Sequence, residues 1–236
     1  VSVSNYREFG QQYNRNGHNF PLKYYVFPND YTMASSTYSG VPVLFDAFIH
    51  YFGDYPFKSE TYGMTQVHGS FTYIEKQTNS SMASVGSGTW WLVVHELAHM
   101  WFGNSITNRP WNHVWLNEGF ATYSEALYEE RVKGKTAYHT WMRDMGTRYN
   151  ASQPLYLADD SNYSQVFVTY YYQKGAWVLH MLRYYLGEEL FFNIIKSYAQ
   201  DPQFKYKYVD TETFRAYVEE MSGKDLYNFF DQWVYD

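Results

Sequence analysis

The chain has 236 residues, with 18 Lys and Arg against 24 Asp and Glu, which leaves a net charge of −6. That length fits one large domain with a real core, and the acidic balance excludes a basic field for nucleic acid or an anionic membrane surface. With no cysteine, disulfide scaffolds, thiolate-held zinc and thiol catalysis are excluded together, so any metal must rest on His, Asp or Glu.

The chain opens at Val1 rather than Met, so a preceding segment, such as a signal peptide, is expected to have been removed. The first stretch reads as extended pieces and turns. Leu22–Phe27 is an apolar and aromatic run stopped by Pro28-Asn29-Asp30, a strand followed by turn chemistry. From Pro42 to Phe52, the residues Val43, Leu44, Ala47, Phe48 and Tyr51 recur at three and four spacing, which predicts a helix ended by Gly53. Tyr62–His68 and Ser70–Lys76 read as two strands joined at Gly69.

After Gly88 every segment with a clear period is helical. Helices are predicted near 89–102, 117–133, 135–148, 165–186, 188–200, 211–222 and 224–234, with Gly103, Gly134, Gly187 and Gly223 as stops. Strands before helices is an α+β order. The expected arrangement is a single catalytic domain over 1–236, with a mixed strand and helix lobe over 1–133 and a mainly helical lobe over 134–236. The longest strongly apolar stretch, Thr89 to Gly103, is interrupted by His95, Glu96 and His99, so no membrane segment is expected.

Residues 95 to 99 read His-Glu-Leu-Ala-His. On a helix, positions four apart share a face, so His95 and His99 can offer imidazoles to one ion while Glu96 flanks it. A hydrolytic zinc site takes three protein ligands and leaves a fourth position to water. The surrounding helix is apolar on nearly every side, and burying three ionisable groups there without a partner would be costly, an objection that a metal removes. Glu118, 19 positions beyond His99 at the start of the next predicted helix, supplies the third candidate ligand. The His-Glu-x-x-His with a glutamate at that one offset arises by chance in roughly one such chain in a thousand.

The pattern His95-Glu96-x-x-His99, eighteen intervening residues, then Glu118 resembles the zinc signature of the gluzincin metallopeptidases of the aminopeptidase N family, which includes leukotriene hydrolase. The wording Val-His-Glu-Leu-Ala-His-Met-Trp-Phe-Gly-Asn and Trp-Leu-Asn-Glu-Gly-Phe-Ala-Thr-Tyr is similar to that family's over 91–126, and the resemblance extends over almost the whole chain. It implies a thermolysin-like catalytic domain with one Zn2+ held by His95, His99 and Glu118, and with Glu96 as general base. Tyr172-Gln-Lys-Gly resembles the family's Tyr-x-Lys-Gly segment, whose tyrosine stabilises the transition state; Tyr170 and Tyr171 adjoin it, and the spacing to Lys174-Gly175 selects Tyr172. Glu75 matches the family's glutamate for the substrate's free amino terminus, although the Gly, Met and Asn around it are not kept.

The resemblance thus implies a zinc aminopeptidase acting on peptides with a free N-terminus, expected to be excised from a larger protein whose flanking domains contribute to binding. Alternative readings are a gluzincin endopeptidase or epoxide hydrolase, or a catalytically silent peptide-binding domain. Glu125, two turns beyond Glu118, is either a partner for a zinc histidine or a surface residue. His180 reads as a packed histidine, and His18, His50, His68, His113 and His139 show no metal spacing. Gly86-Ser-Gly reads as the turn before the zinc helix.

Overall fold

The structure, a computed structural model, describes residues 3–68, 73–147, 152–161 and 166–236. The chain begins with a hairpin of β1 (Arg7–Arg15) and β2 (His18–Val26), paired so that Arg15 faces His18 across the two-residue loop Asn16-Gly17. Both loop residues have positive φ, 54° and 75°, the conformation that matches strand twist and that Asn-Gly favours. Two helices follow, α1 (Tyr31–Tyr38) and α2 (Val41–Phe52). The sheet is completed by β3 (Tyr62–Gln66), β4 (Tyr73–Ile74) and β5 (Asn79–Met82), in the order β1-β2-β3-β5-β4. β2, β3 and β5 run parallel, and β4 closes the edge antiparallel to β5.

A single 3-10 turn over Ser87–Thr89 leads into α3 (Trp90–Ala98), as the Gly86-Ser-Gly text suggests. Then come β6 (Ile106–Asn108), α4 (Trp115–Lys133), α5 (Lys135–Gly146), α6 (Thr169–Leu186) and α7 (Glu188–Gln200). β7 (Lys207–Val209), α8 (Thr211–Ser222) and α9 (Tyr227–Phe230) follow, and a π-helical turn over Asp231–Tyr235 ends the chain. No helix among the described residues is long and apolar enough to cross a membrane.

The α+β order holds, and several local readings do not. Residues 31–38, expected as turns, form α1. β1 lies in the stretch read only as loose extended pieces. β3 and β4 are not neighbours, because β5 lies between them; the joint at Gly69 and residues 70–72 lie outside the described residues, as do 148 and 165 at two predicted helix ends. The stretch after Gly88, read as helical wherever a period is clear, also holds a small parallel sheet of β6 and β7. Both strands are three residues long, too short to show a period. The predicted helix 89–102 ends earlier, at Ala98, because Met100 N–H and Trp101 N–H bond to the carbonyls three residues back, Leu97 and Ala98, and tighten the turn.

That tightened turn is anchored by aromatic packing in a chain that is 22% Phe, Trp and Tyr. The Trp101 ring lies 5.5 Å from Tyr55, 5.9 Å from Phe48 and 6.1 Å from Phe52. Its indole N–H is shared between the Gly53 and Asp54 carbonyls at 3.3 and 3.2 Å. Next to it Phe102 stacks on Phe120 of α4 with centroids 4.1 Å apart. The two residues that follow His99 and Met100 therefore clamp the end of α3 between α2 and α4, and each buried ring removes a large apolar area from water.

Candidate metal centre

α3 and α4 lie side by side and present His95, His99 and Glu118 to one point. The Glu118 Oε2 is 3.2 Å from His95 Nε2 and 3.3 Å from His99 Nε2. All three side chains are buried. Each imidazole is oriented from behind: His95 Nδ1 lies 2.9 Å from Glu125 Oε1, and His99 Nδ1 lies 2.9 Å from the Phe102 carbonyl. With an acceptor on each Nδ1, that nitrogen carries the proton and Nε2 is turned toward Glu118. Glu125 is thus the partner of His95 and not a surface residue.

The donor set fits zinc. Two imidazole nitrogens and one carboxylate oxygen are a hydrolytic zinc triad, and zinc to ligand distances of about 2.0–2.2 Å imply ligand to ligand edges of about 3.3–3.6 Å on a tetrahedron. The two nitrogen to oxygen separations are already close to that edge. Glu96 Oε2 is buried without a hydrogen-bond partner, a cost that a protein accepts where another group is to be met.

Charge around the site is strongly coupled. Burial pushes His99 down, but the Glu118 and Glu75 carboxylates outweigh it and raise it to about 9. His95 is likewise raised, by Glu118 and Glu125 acting against its burial. Burial acts to raise Glu118, and the two histidines reverse this and hold it at about 2. Glu96 is pushed up to about 7 by burial, which His95 and His99 offset only in part. Tyr172 is held well above an ordinary phenol by burial and by the charges of Glu118, Glu75 and Glu96.

The other sequence candidates lie at the same place. Tyr172, on α6, stacks its ring 5.8 Å from that of His95, whereas the neighbouring Tyr171 is fully buried in the core. Glu75 directly follows the edge strand β4, and donor atoms of Glu75, Glu96 and His99 lie within 4.8 Å of one another. His180 is half-buried, with Nδ1 2.6 Å from the Tyr138 hydroxyl, consistent with packing.

Three features were not read from the sequence. Asn104 donates from Nδ2 to the Glu75 carbonyl at 2.8 Å, and its N–H bonds the His99 carbonyl at 2.9 Å, so it ties β4 to the end of α3. An Asn directly after a Gly stop is turn chemistry and was the available signal. Trp141, on α5, stands beside Glu125 and favours its charged carboxylate against the burial that raises it. Third, α4 and α6 touch backbone to backbone: a Cβ on Gly119 would stand 2.9 Å from Gly175 Cα, and one on Gly175 would stand 2.8 Å from Gly119 Cα. Glu118 adjoins one glycine and Tyr172 lies one turn from the other, so this crossing brings phenol and carboxylate together. Two glycines inside predicted helices go against helix propensity, and that conflict marks a close approach. A cavity of about 420 Å³ is lined in part by Gln77, Asn104, Phe57, Tyr206 and Tyr208, and none of the metal donors lines it.

The sequence profile of the peptidase family M1 domain matches residues 53–233. Aminopeptidase N of Streptomyces lividans is 30% identical over 98% of this chain and 30% of its own length. Aminopeptidase M1-D of rice is 33% identical over 74% of this chain and 20% of its own. Among solved structures, the M1 zinc metallopeptidase of Deinococcus radiodurans superposes with a TM-score of 0.82 at 23% identity, covering 97% of this chain and 51% of that one. Yeast LTA4 hydrolase in complex with bestatin gives 0.77 at 22% identity over 91% of this chain and 38% of that one. The solved structures show the shared fold, and the chain spans less than a third of the length of the two curated relatives.

Two outcomes are expected. Because His99 is raised to about 9, it carries a second proton at pH 7, so zinc binding should release a proton from it and tighten as pH rises toward about 9. Calorimetry in buffers of different ionisation enthalpy measures this; release of none would contradict the charge arrangement. Gly119→Ala should destabilise the fold by about 1–3 kcal/mol through overpacking, measured by chemical denaturation, and a neutral substitution would contradict the close crossing.

Proposed function

The chain belongs to peptidase family M1, and on that premise we propose that it carries the catalytic machinery of a zinc aminopeptidase, removing N-terminal residues from peptides by attack of water on the first amide. Within that reading, residues 1–133 bring the metal donors, Glu96 and Glu75, and residues 134–236 bring Tyr172.

Zinc, when held by His95, His99 and Glu118, supplies a Lewis acid that acidifies water toward a pKa of ~7 and polarises the scissile carbonyl. Glu96 takes the proton from the attacking water and delivers it to the leaving amine. Its carboxyl suits both tasks, since burial raises it to about 7 and one oxygen has no competing partner. Tyr172 stays protonated and donates to the oxygen of the tetrahedral species, a contact worth roughly 3 kcal/mol where one such donor is lost. Glu125 and the Phe102 carbonyl hold the two imidazoles in the tautomer that keeps Nε2 turned inward.

Glu75 is the observation that favours an aminopeptidase. It sets a carboxylate within 4.8 Å of donor atoms of Glu96 and His99. A substrate's α-ammonium bonded there by charge-assisted hydrogen bonds brings only the first peptide bond to the reacting groups. Asn104 fixes the backbone that carries it.

Aminoacyl amides with a free amino group should be turned over, and their N-acetylated forms should not. Glu75→Gln should raise KM for the free amides and shrink that discrimination. Glu96→Gln should lower kcat by about 100- to 10,000-fold while zinc content stays unchanged. Equal turnover of blocked and free substrates would overturn the aminopeptidase reading, and full activity in Glu96→Gln would overturn the mechanism.

A further inference from the structure

Glu75 stands where regular strand pairing runs out. β4 joins β5 through Tyr73↔Met82 and Ile74↔Ser81, so the ladder stops just before the carboxylate. The chain then turns at once: Lys76 N–H bonds the Ile74 carbonyl at 3.0 Å, and Asn79 N–H bonds the Lys76 carbonyl at 2.9 Å. Within that turn Thr78 has a φ of 57°. A β-branched residue in the left-handed region is strained, and it keeps that conformation only where its surroundings hold it.

Hydrogen bonds from two other segments hold it. From β3, Gly63 N–H bonds the Thr78 carbonyl at 2.8 Å. From the loop after α3, Asn104 Nδ2 donates to the Glu75 carbonyl at 2.8 Å, and the same nitrogen is 3.8 Å from Met100 Sδ, a weak acceptor. An amide can bond a carbonyl only through its nitrogen, so the orientation of the Asn104 side chain is fixed by its partner.

At its other end Asn104 is built into the surroundings of a metal donor. Its backbone N–H bonds the His99 carbonyl at 2.9 Å. It follows Gly103, which has a φ of 141° and where a Cβ would stand 2.9 Å from His99 Nδ1. Gly103 N–H bonds the Ile106 carbonyl at 2.7 Å and the Gly103 carbonyl accepts from Thr107 Oγ1 at 2.6 Å, so the loop is closed tightly around His99. One residue thus spans from the carbonyl of His99 to the carbonyl of Glu75. Its side chain can be changed while the backbone half of the span stays in place.

We propose that Asn104 is the positioning residue that sets the exopeptidase register, its side-chain amide holding Glu75 at the spacing from the metal donors that admits a single residue. In a substrate with a free amino terminus, one Cα separates the α-nitrogen from the reacting carbonyl, so a small displacement of the anchoring carboxylate misplaces the bond to be cut. This role rests on the reading of Glu75 as the ammonium anchor. Asn104 is half-buried and lines the cavity of about 420 Å³, so truncating it enlarges that space rather than opening a void in the core.

The test compares zinc-loaded wild type with Asn104→Ala and Asn104→Asp. By hydrogen exchange, the Lys76 and Asn79 amides should exchange roughly tenfold faster in both variants, while the His99, Met100 and Trp101 amides keep their wild-type rates. Free aminoacyl amides should lose roughly 10- to 100-fold in kcat/KM, mostly as a higher KM, with zinc content and any residual turnover of N-acetylated forms unchanged. The added charge of Asn104→Asp would by itself attract an ammonium, so a raised KM there separates position from charge. Wild-type exchange at Lys76 and Asn79 would overturn the role, as would an equal loss on free and blocked substrates or a lowered KM in Asn104→Asp. If wild type turns over free and blocked substrates equally, the aminopeptidase reading fails instead, and the exchange rates alone decide whether Asn104 holds Glu75.

Discussion

One carboxylate oxygen shared between two buried imidazoles governs this molecule. Glu118 Oε2 lies 3.2 and 3.3 Å from the facing nitrogens of His95 and His99, in surroundings where an uncompensated charge would be very costly. Every nearby arrangement keeps that cluster in place. The Nδ1 atoms are committed to Glu125 and to the Phe102 carbonyl, the end of α3 is tightened, and the rings of Trp101 and Phe102 pin that end to α2 and α4. The same burial that makes the cluster costly raises Glu96 to about 7, so the constraint on the metal donors and the readiness of the neighbouring acid for proton transfer have one physical origin.

The helical half brings Tyr172 to the site through one close crossing. Gly119 and Gly175 allow α4 and α6 to touch along their backbones, and this close packing places the Tyr172 ring against His95. From the opposite side, the edge strand β4 delivers Glu75, held by Asn104 to the carboxyl end of α3. Three separate parts of the fold thus meet at one point, and each is fixed there by backbone contact or backbone hydrogen bonding. Such supports are stiffer than side-chain contacts alone, which suits groups that must be held close to their productive geometry.

Much of this was legible in the sequence because the informative residues sit close together. His95, Glu96 and His99 share one helix turn, so helical periodicity aligns them, and Glu118 on the next helix was placed with them by the resemblance to the gluzincin signature. Helix stops at Gly134, Gly187 and Gly223 were equally clear. What escaped depends on contacts between distant segments. β5 inserts between β3 and β4 although it follows both in sequence, and no local pattern encodes that order. β6 and β7 pair across a separation far larger than any periodic window. The roles of Asn104, Trp141 and the two facing glycines exist only once α3, α4, α5 and α6 have packed, so their residue types hinted at turns or at conflict with helix propensity without naming the partner.

The central claim is that His95, His99 and Glu118 together form the zinc site of this chain. X-ray absorption at the zinc edge on protein reconstituted with one equivalent of metal tests it most directly. The account predicts two imidazole nitrogens and one carboxylate in the protein's share of the coordination shell, at about 2.0–2.2 Å, with loss of one imidazole signal in His99→Ala. A shell of oxygen alone, or an unchanged spectrum in that variant, would contradict it.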